Sequence, residues 1–127
     1  MSVAWYVVLE NNIPGFDPAV DGKALARAGD MLESIAKDKG VRPLMGYFST
    51  SPEEISGFLE DHGATFEKAP PEEWFTAEEG LKTVNALLEE GERRQLDARA
   101  ITDLRDFQRV LEVAKQNDVG WHMAVDF

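Results

Sequence analysis

Apolar residues alternate with others over the last seven positions of the chain, Trp121-His122-Met123-Ala124-Val125-Asp126-Phe127. Trp121, Met123, Val125 and Phe127 face one way, and His122, Ala124 and Asp126 the other. That is the two-residue period of a strand with one face buried. No polar tail follows Phe127, so the expectation is a terminus tied into a sheet. Its expected partner is Trp5 to Glu10, part of a first strand at about 3–10. There Trp5, Val7 and Leu9 share one face and Ala4, Tyr6, Val8 and Glu10 the other. Both faces are largely apolar, which predicts a central strand or one covered on both sides. Leu44 to Ser49 predicts a shorter strand, interrupted by Gly46, with Tyr47 and Phe48 carrying its burial.

Between these stretches the period lengthens to that of helices. Leu25, Ala28, Leu32 and Ile35 form one stripe of a helix from about Lys23 to Lys39, with Asp21 or Gly22 as its cap. Gly29 weakens that helix and marks close packing on the sheet. Lys37, Lys39, Gly40 and Pro43 signal its end. Ser51-Pro52-Glu53-Glu54 is a strong helix start, and the helix it opens buries Ile55, Phe58 and Leu59 and ends at His62-Gly63. Pro71 to Phe75 reads as a single turn. Thr76-Ala77-Glu78-Glu79 is a second capping box, opening a helix that buries Leu81, Val84, Leu87 and Leu88 and stops near Gly91. Asp97 or Thr102 caps the last helix, whose stripe is Leu104, Phe107, Leu111 and Ala114. Asn117 to Gly120 turns into the final strand.

The order is strand, helix, strand, three helical pieces, strand. It predicts one globular domain over residues 1–127, of the α+β class or a small α/β. A short, three-stranded mixed sheet (about 3–10, 44–49 and 120–127) is expected under four main helices. No repeat, low-complexity run or dividing linker interrupts it. So few strands leave an edge, and self-association is one way to cover it.

Composition changes the picture in three ways. With 127 residues, 43% of them hydrophobic, the chain is long enough to bury a core without a metal or disulfide. The absence of cysteine excludes a disulfide framework, thiolate metal sites and a cysteine nucleophile. The N-terminus lacks a signal-peptide pattern, and the longest apolar run, Val3 to Leu9, is far short of the ~20 residues that span a bilayer. These features predict a cytoplasmic protein. The net charge of −11 is concentrated: residues 51–92 hold twelve acidic and two basic residues, whereas the rest of the chain is nearly balanced. Such a field argues against nucleic acid and against an anionic membrane as partners.

Candidate chemistry is sparse. His62, beside Asp61 and before Gly63, reads as a helix C-terminal cap. His122 shares a strand face with Asp126, and pairing with the first strand would bring Tyr6 and Glu10 near it, a possible polar pocket floor that Arg42, Arg99 or Arg105 could supplement with a cation. No histidine spacing presents two imidazoles to one metal, and the adjacent glutamate pairs point about 100° apart on a helix, so no metal and no cofactor are expected. Phosphate-binding and serine-nucleophile motifs are absent. Trp74-Phe75 stands among Glu72, Glu73, Glu78 and Glu79. One reading is a hydrophobic staple on the helix that follows. The other is a docking site in which aromatics anchor and acids steer a basic partner. The leading functional expectation is therefore a non-enzymatic module that binds another protein, or itself, through its acidic middle third. The competing one is a small enzyme or ligand-binding domain with its site at Tyr6, Glu10, His122 and Asp126.

Overall fold

The computed structural model describes residues 3–49 and 72–126. In chain order these hold β1 (Ala4–Leu9), α1 (Lys23–Arg27), α2 (Gly29–Lys39), a 3-10 turn (Leu44–Tyr47), α3 (Ala77–Arg93), α4 (Ala98–Gln116) and β2 (Trp121–Asp126). Among the described residues the fold is mixed α+β, with four helices and a two-stranded antiparallel sheet. The helix expected after Ser51, the cap role of His62 and the face of Phe127 lie outside the described residues.

β1 and β2 pair as expected, with Trp5 opposite Val125, Tyr6 opposite Ala124 and Val8 opposite His122. The third strand is a correction. Leu44 and Tyr47 are buried while Met45, Gly46 and Phe48 are exposed, the three-residue spacing of a 3-10 turn and not a strand alternation. The stretch pairs with the sheet through a single parallel bridge of Phe48 to Met123, where the Ser49 N–H donates to the Met123 carbonyl at 3.1 Å, and Phe75 forms an antiparallel bridge to Trp121. Both lie along the edge of β2 away from β1. The last strand, not the first, is therefore covered on both faces: Trp121 to Ala124 are all buried, whereas Tyr6 on β1 is exposed.

The long first helix is also divided. It breaks at Ala28, whose backbone closes α1 and opens α2. Gly29 follows because its α-carbon sits against the Trp5 indole, where a β-carbon would lie 3.2 Å from the ring. Gly22 supplies the left-handed backbone at the start of α1 but no capping side chain. That task falls to Asp103 of α4, whose carboxylate accepts the Leu25 N–H at 3.1 Å. Gly40 ends α2 in the left-handed conformation its position predicts.

Thr76 caps α3 by accepting the Glu79 N–H at 3.1 Å, and the helix continues past Gly91 to Arg93. Asp97, not Thr102, caps α4. The stripe Leu104, Phe107, Leu111 and Ala114 belongs to one continuous core with Val84 and Leu87, Leu25 and Ile35, and the buried β2 residues Trp121 and Met123. Among the described residues no helix is long and apolar enough to cross a membrane.

Candidate functional site

Residues 72–76 run extended into the cap of α3. Phe75 fixes this stretch to β2: its N–H donates to the Trp121 carbonyl at 2.8 Å and its carbonyl accepts the Trp121 N–H at 2.9 Å. Alternation then sends Glu72 and Trp74 to the His122 side of the sheet and Glu73 and Phe75 to the other. The Phe75 ring meets Tyr47 edge-on at 5.1 Å between centroids, and the Arg42 guanidinium lies 5.2 Å above it. Arg42 also reaches Glu79 at 3.5 Å. Tyr47 is anchored in turn by Thr83, whose hydroxyl donates to the Arg42 carbonyl at 2.6 Å.

On the other side the imidazole of His122, only 2% exposed, is held between two groups. Its Nε2 lies 2.9 Å from Glu72 Oε2 and its Nδ1 3.1 Å from the Met123 carbonyl. The Trp74 ring packs over it, centroids 4.7 Å apart. The outer part of Trp74 borders a cleft of about 580 Å³ between the start of α3, the end of α4 and the turn before β2. Glu10, Glu78, Asp118 and Lys115 stand around it. Among the described residues none of these four takes part in an ion pair. The Glu10 carboxylate lies over Gly120, whose missing side chain makes room for it.

The two groups of candidates are therefore divided differently from expectation. Of the four residues Tyr6, Glu10, His122 and Asp126, Tyr6 and Glu10 lie two residues to either side of Val8, which stands opposite His122, whereas Glu10 and Asp126 lie at opposite ends of the strand pair. Glu10 stands opposite the start of β2 and Asp126 opposite Ala4, about 20 Å apart at ~3.4 Å per residue. Asp126 is exposed, whereas His122 is sealed beneath Trp74 and Glu72. None of the three arginines joins them: Arg42 pairs with Glu79, Arg105 with Glu92 at 2.9 Å, and Arg99 is exposed on α4. Instead, Glu10 shares the cleft with Trp74, Phe75 and Glu78. The staple also takes another form. The residue that would receive Phe75 is Gly80, and the space over it is filled by the Trp121 indole. Glu73 is exposed on the opposite side of the stretch, where its N–H donates to Ser49 Oγ at 2.8 Å.

Lys115 and Asp118 were not candidates in the sequence. Their positions at the end of the last helix are visible there, but their approach to Trp74 depends on β2 returning beside residues 72–76. Among the described residues no group of three or more histidine, aspartate and glutamate side chains could hold a metal ion. No protein-family model, curated protein or solved structure matches the chain.

Proposed function

We propose that this chain is a non-enzymatic cytoplasmic module that docks a basic segment of another protein in the Trp74 cleft. The observation that supports it is one juxtaposition. A half-buried tryptophan borders a cavity of about 580 Å³ where, among the described residues, the carboxylates of Glu10, Glu78 and Asp118 have no ionic partner. Aromatic side chains supply contact area at low entropic cost, and their faces attract ammonium and guanidinium groups. Unpaired carboxylates around them raise the encounter rate with a cationic partner and select its sign. Lys115 gives the rim one repulsive point, which discriminates among basic sequences. The acidic surface of α3 extends the same field.

Co-purification of the tagged protein from its own cell extract, at low and high salt, tests the reading. The expected result is a stoichiometric partner that is lost at high salt, and lost at low salt from Trp74→Ala and from a Glu10→Gln, Glu78→Gln, Asp118→Asn triple variant. A partner retained by both folded variants contradicts it.

Self-association is a second reading, favoured by an apolar cleft of about 400 Å³ over Trp5, Leu44 and Val125. Exposed Val3 and Met45 border it, and Arg27 lies near Asp30 and Glu33 on its rim, a charge pattern that can complement itself across a two-fold axis. Sedimentation equilibrium of the wild type and Met45→Glu decides it: a dimer that the substitution dissociates supports the reading, and a monomer at high concentration removes it.

A further inference from the structure

Both ring nitrogens of His122 face groups that accept hydrogen bonds. Nδ1 is 3.1 Å from the Met123 carbonyl and Nε2 is 2.9 Å from the Glu72 carboxylate. A neutral imidazole has one N–H and a carboxylate has none. The two contacts are hydrogen bonds together only when the His122–Glu72 pair carries one proton more than a neutral ring beside a carboxylate.

We propose that His122 and Glu72 form a proton-dependent clasp that sets the posture of Trp74. With the extra proton, Nδ1–H donates to the Met123 carbonyl and the Nε2–Glu72 bond is charge-assisted. The ring under Trp74 is then an imidazolium, which the indole face favours. Without it, only one of the two contacts keeps a hydrogen bond; with the remaining N–H on Nδ1, held by the Met123 carbonyl, a lone pair of Nε2 faces the carboxylate at 2.9 Å. The Glu72 side chain, already 28% exposed, then turns to water. Trp74 is two residues from Glu72 on the same extended stretch, so its stacking loosens in the same step. Phe75 stays pinned by its two backbone bonds to Trp121, so the change does not pass on into α3.

Among the described residues the other ionisable groups on this sheet face are Tyr6 and Glu10 from β1 and Asp126 from β2. Tyr6 stands opposite Ala124, Glu10 stands beside Gly120, and Asp126 is exposed four residues along the strand. Of the ionisable side chains in the 72–76 stretch Glu72 meets the ring and Glu73 faces away, and Glu78 of α3 faces the cleft. The clasp stands on this geometry alone. Its consequence, that docking in the cleft depends on pH, rests on the proposed function.

The test uses the protein by itself, so its outcome is separate from whether a partner exists. Ring ¹⁵N NMR is recorded across roughly pH 5 to 8, the range in which an imidazole ordinarily changes charge. The chain has two histidines, and His62→Gln assigns the signals. The expected result is that both His122 nitrogens are protonated at the acid end and that proton loss coincides with a shift of the Trp74 indole N–H. In Glu72→Gln the Trp74 indole no longer responds to the step. A ring that stays in one neutral tautomer throughout, a Trp74 signal that ignores the step, or a Trp74 response unchanged in Glu72→Gln each overturns the clasp.

Discussion

The indole of Trp121 occupies the space above Gly80. Its Nε1–H donates to the Thr76 carbonyl at 3.1 Å, and a β-carbon at Gly80 would lie 2.6 Å from Cε2 and Nε1. The start of α3 is thus fitted to β2 by the absence of a side chain. Gly80→Ala improves helix propensity by about 1 kcal/mol but forces the fully buried ring aside. Overpacking of this kind costs about 1–3 kcal/mol, so the expected result is net destabilisation in denaturant titration, with loss of the Trp121 indole hydrogen bond by NMR.

Asp103 ties α4 to the start of α1. Asp103→Ala leaves the buried Leu25 N–H without its acceptor and is expected to cost about 1–3 kcal/mol. Burial lifts the Asp103 carboxyl above its ordinary value of 3.8, a rise that the Leu25 and Gly22 N–H groups oppose and Asp21 and Asp106 reinforce. The folded state therefore binds this proton more readily than the unfolded state. The contribution is fully present below 3.8 and is lost as pH rises through the lifted value. Stability measured for the wild type relative to Asp103→Asn should improve on acidification through that window, and a difference that does not vary with pH would refute the assignment.

Tyr47 and Thr83 share two hydroxyl protons among three contacts, to the Glu79 carbonyl, to each other and to the Arg42 carbonyl. Tyr47→Phe leaves Thr83 free to donate to Arg42, so the expected loss is modest, about 0.5–1.5 kcal/mol. Burial raises the Tyr47 phenol above its ordinary value of 10.0. Its stabilising effect persists below 10.0 and fades as alkaline pH passes the raised value, and the alkaline limb of the stability profile should be shallower in Tyr47→Phe.

Trp74 and Phe75 should separate cleanly. Phe75 packs on Tyr47 beneath Arg42, and Phe75→Ala is expected to cost about 2 kcal/mol, roughly half the penalty of a fully buried phenylalanine. Trp74 contributes stacking on His122, and Trp74→Ala is expected to cost about 1 kcal/mol and leave the fold intact. Thermal unfolding of the two variants checks this order.

The terminal strands were legible because their alternation is strict, and the caps at Gly40, Thr76 and Asp97 because each is decided by nearby residues. The 3-10 turn was also written in the chain, since Leu44 and Tyr47 are three apart, but β-favouring aromatics and a short window hid the spacing. The break at Ala28 was not visible; Gly29, which follows it, lies against the indole of Trp5, more than twenty residues away. The candidate site divided along the same line. Trp74, Phe75 and Glu78 stood out as an acidic aromatic segment. Their union with Glu10, Lys115 and Asp118, and the capture of His122 by Glu72, follow from the antiparallel bridge of Phe75 to Trp121, which no local pattern encodes.

The docking claim is met most directly by placing a photo-crosslinking amino acid at position 115, on the cleft rim, and separately at exposed position 99 on α4, in the protein's own cells. Position 115 is expected to give one dominant adduct, joined through a lysine- or arginine-rich peptide and weakened by Trp74→Ala, with little from position 99. No adduct at 115, or the same adducts at equal yield from both positions, would contradict it.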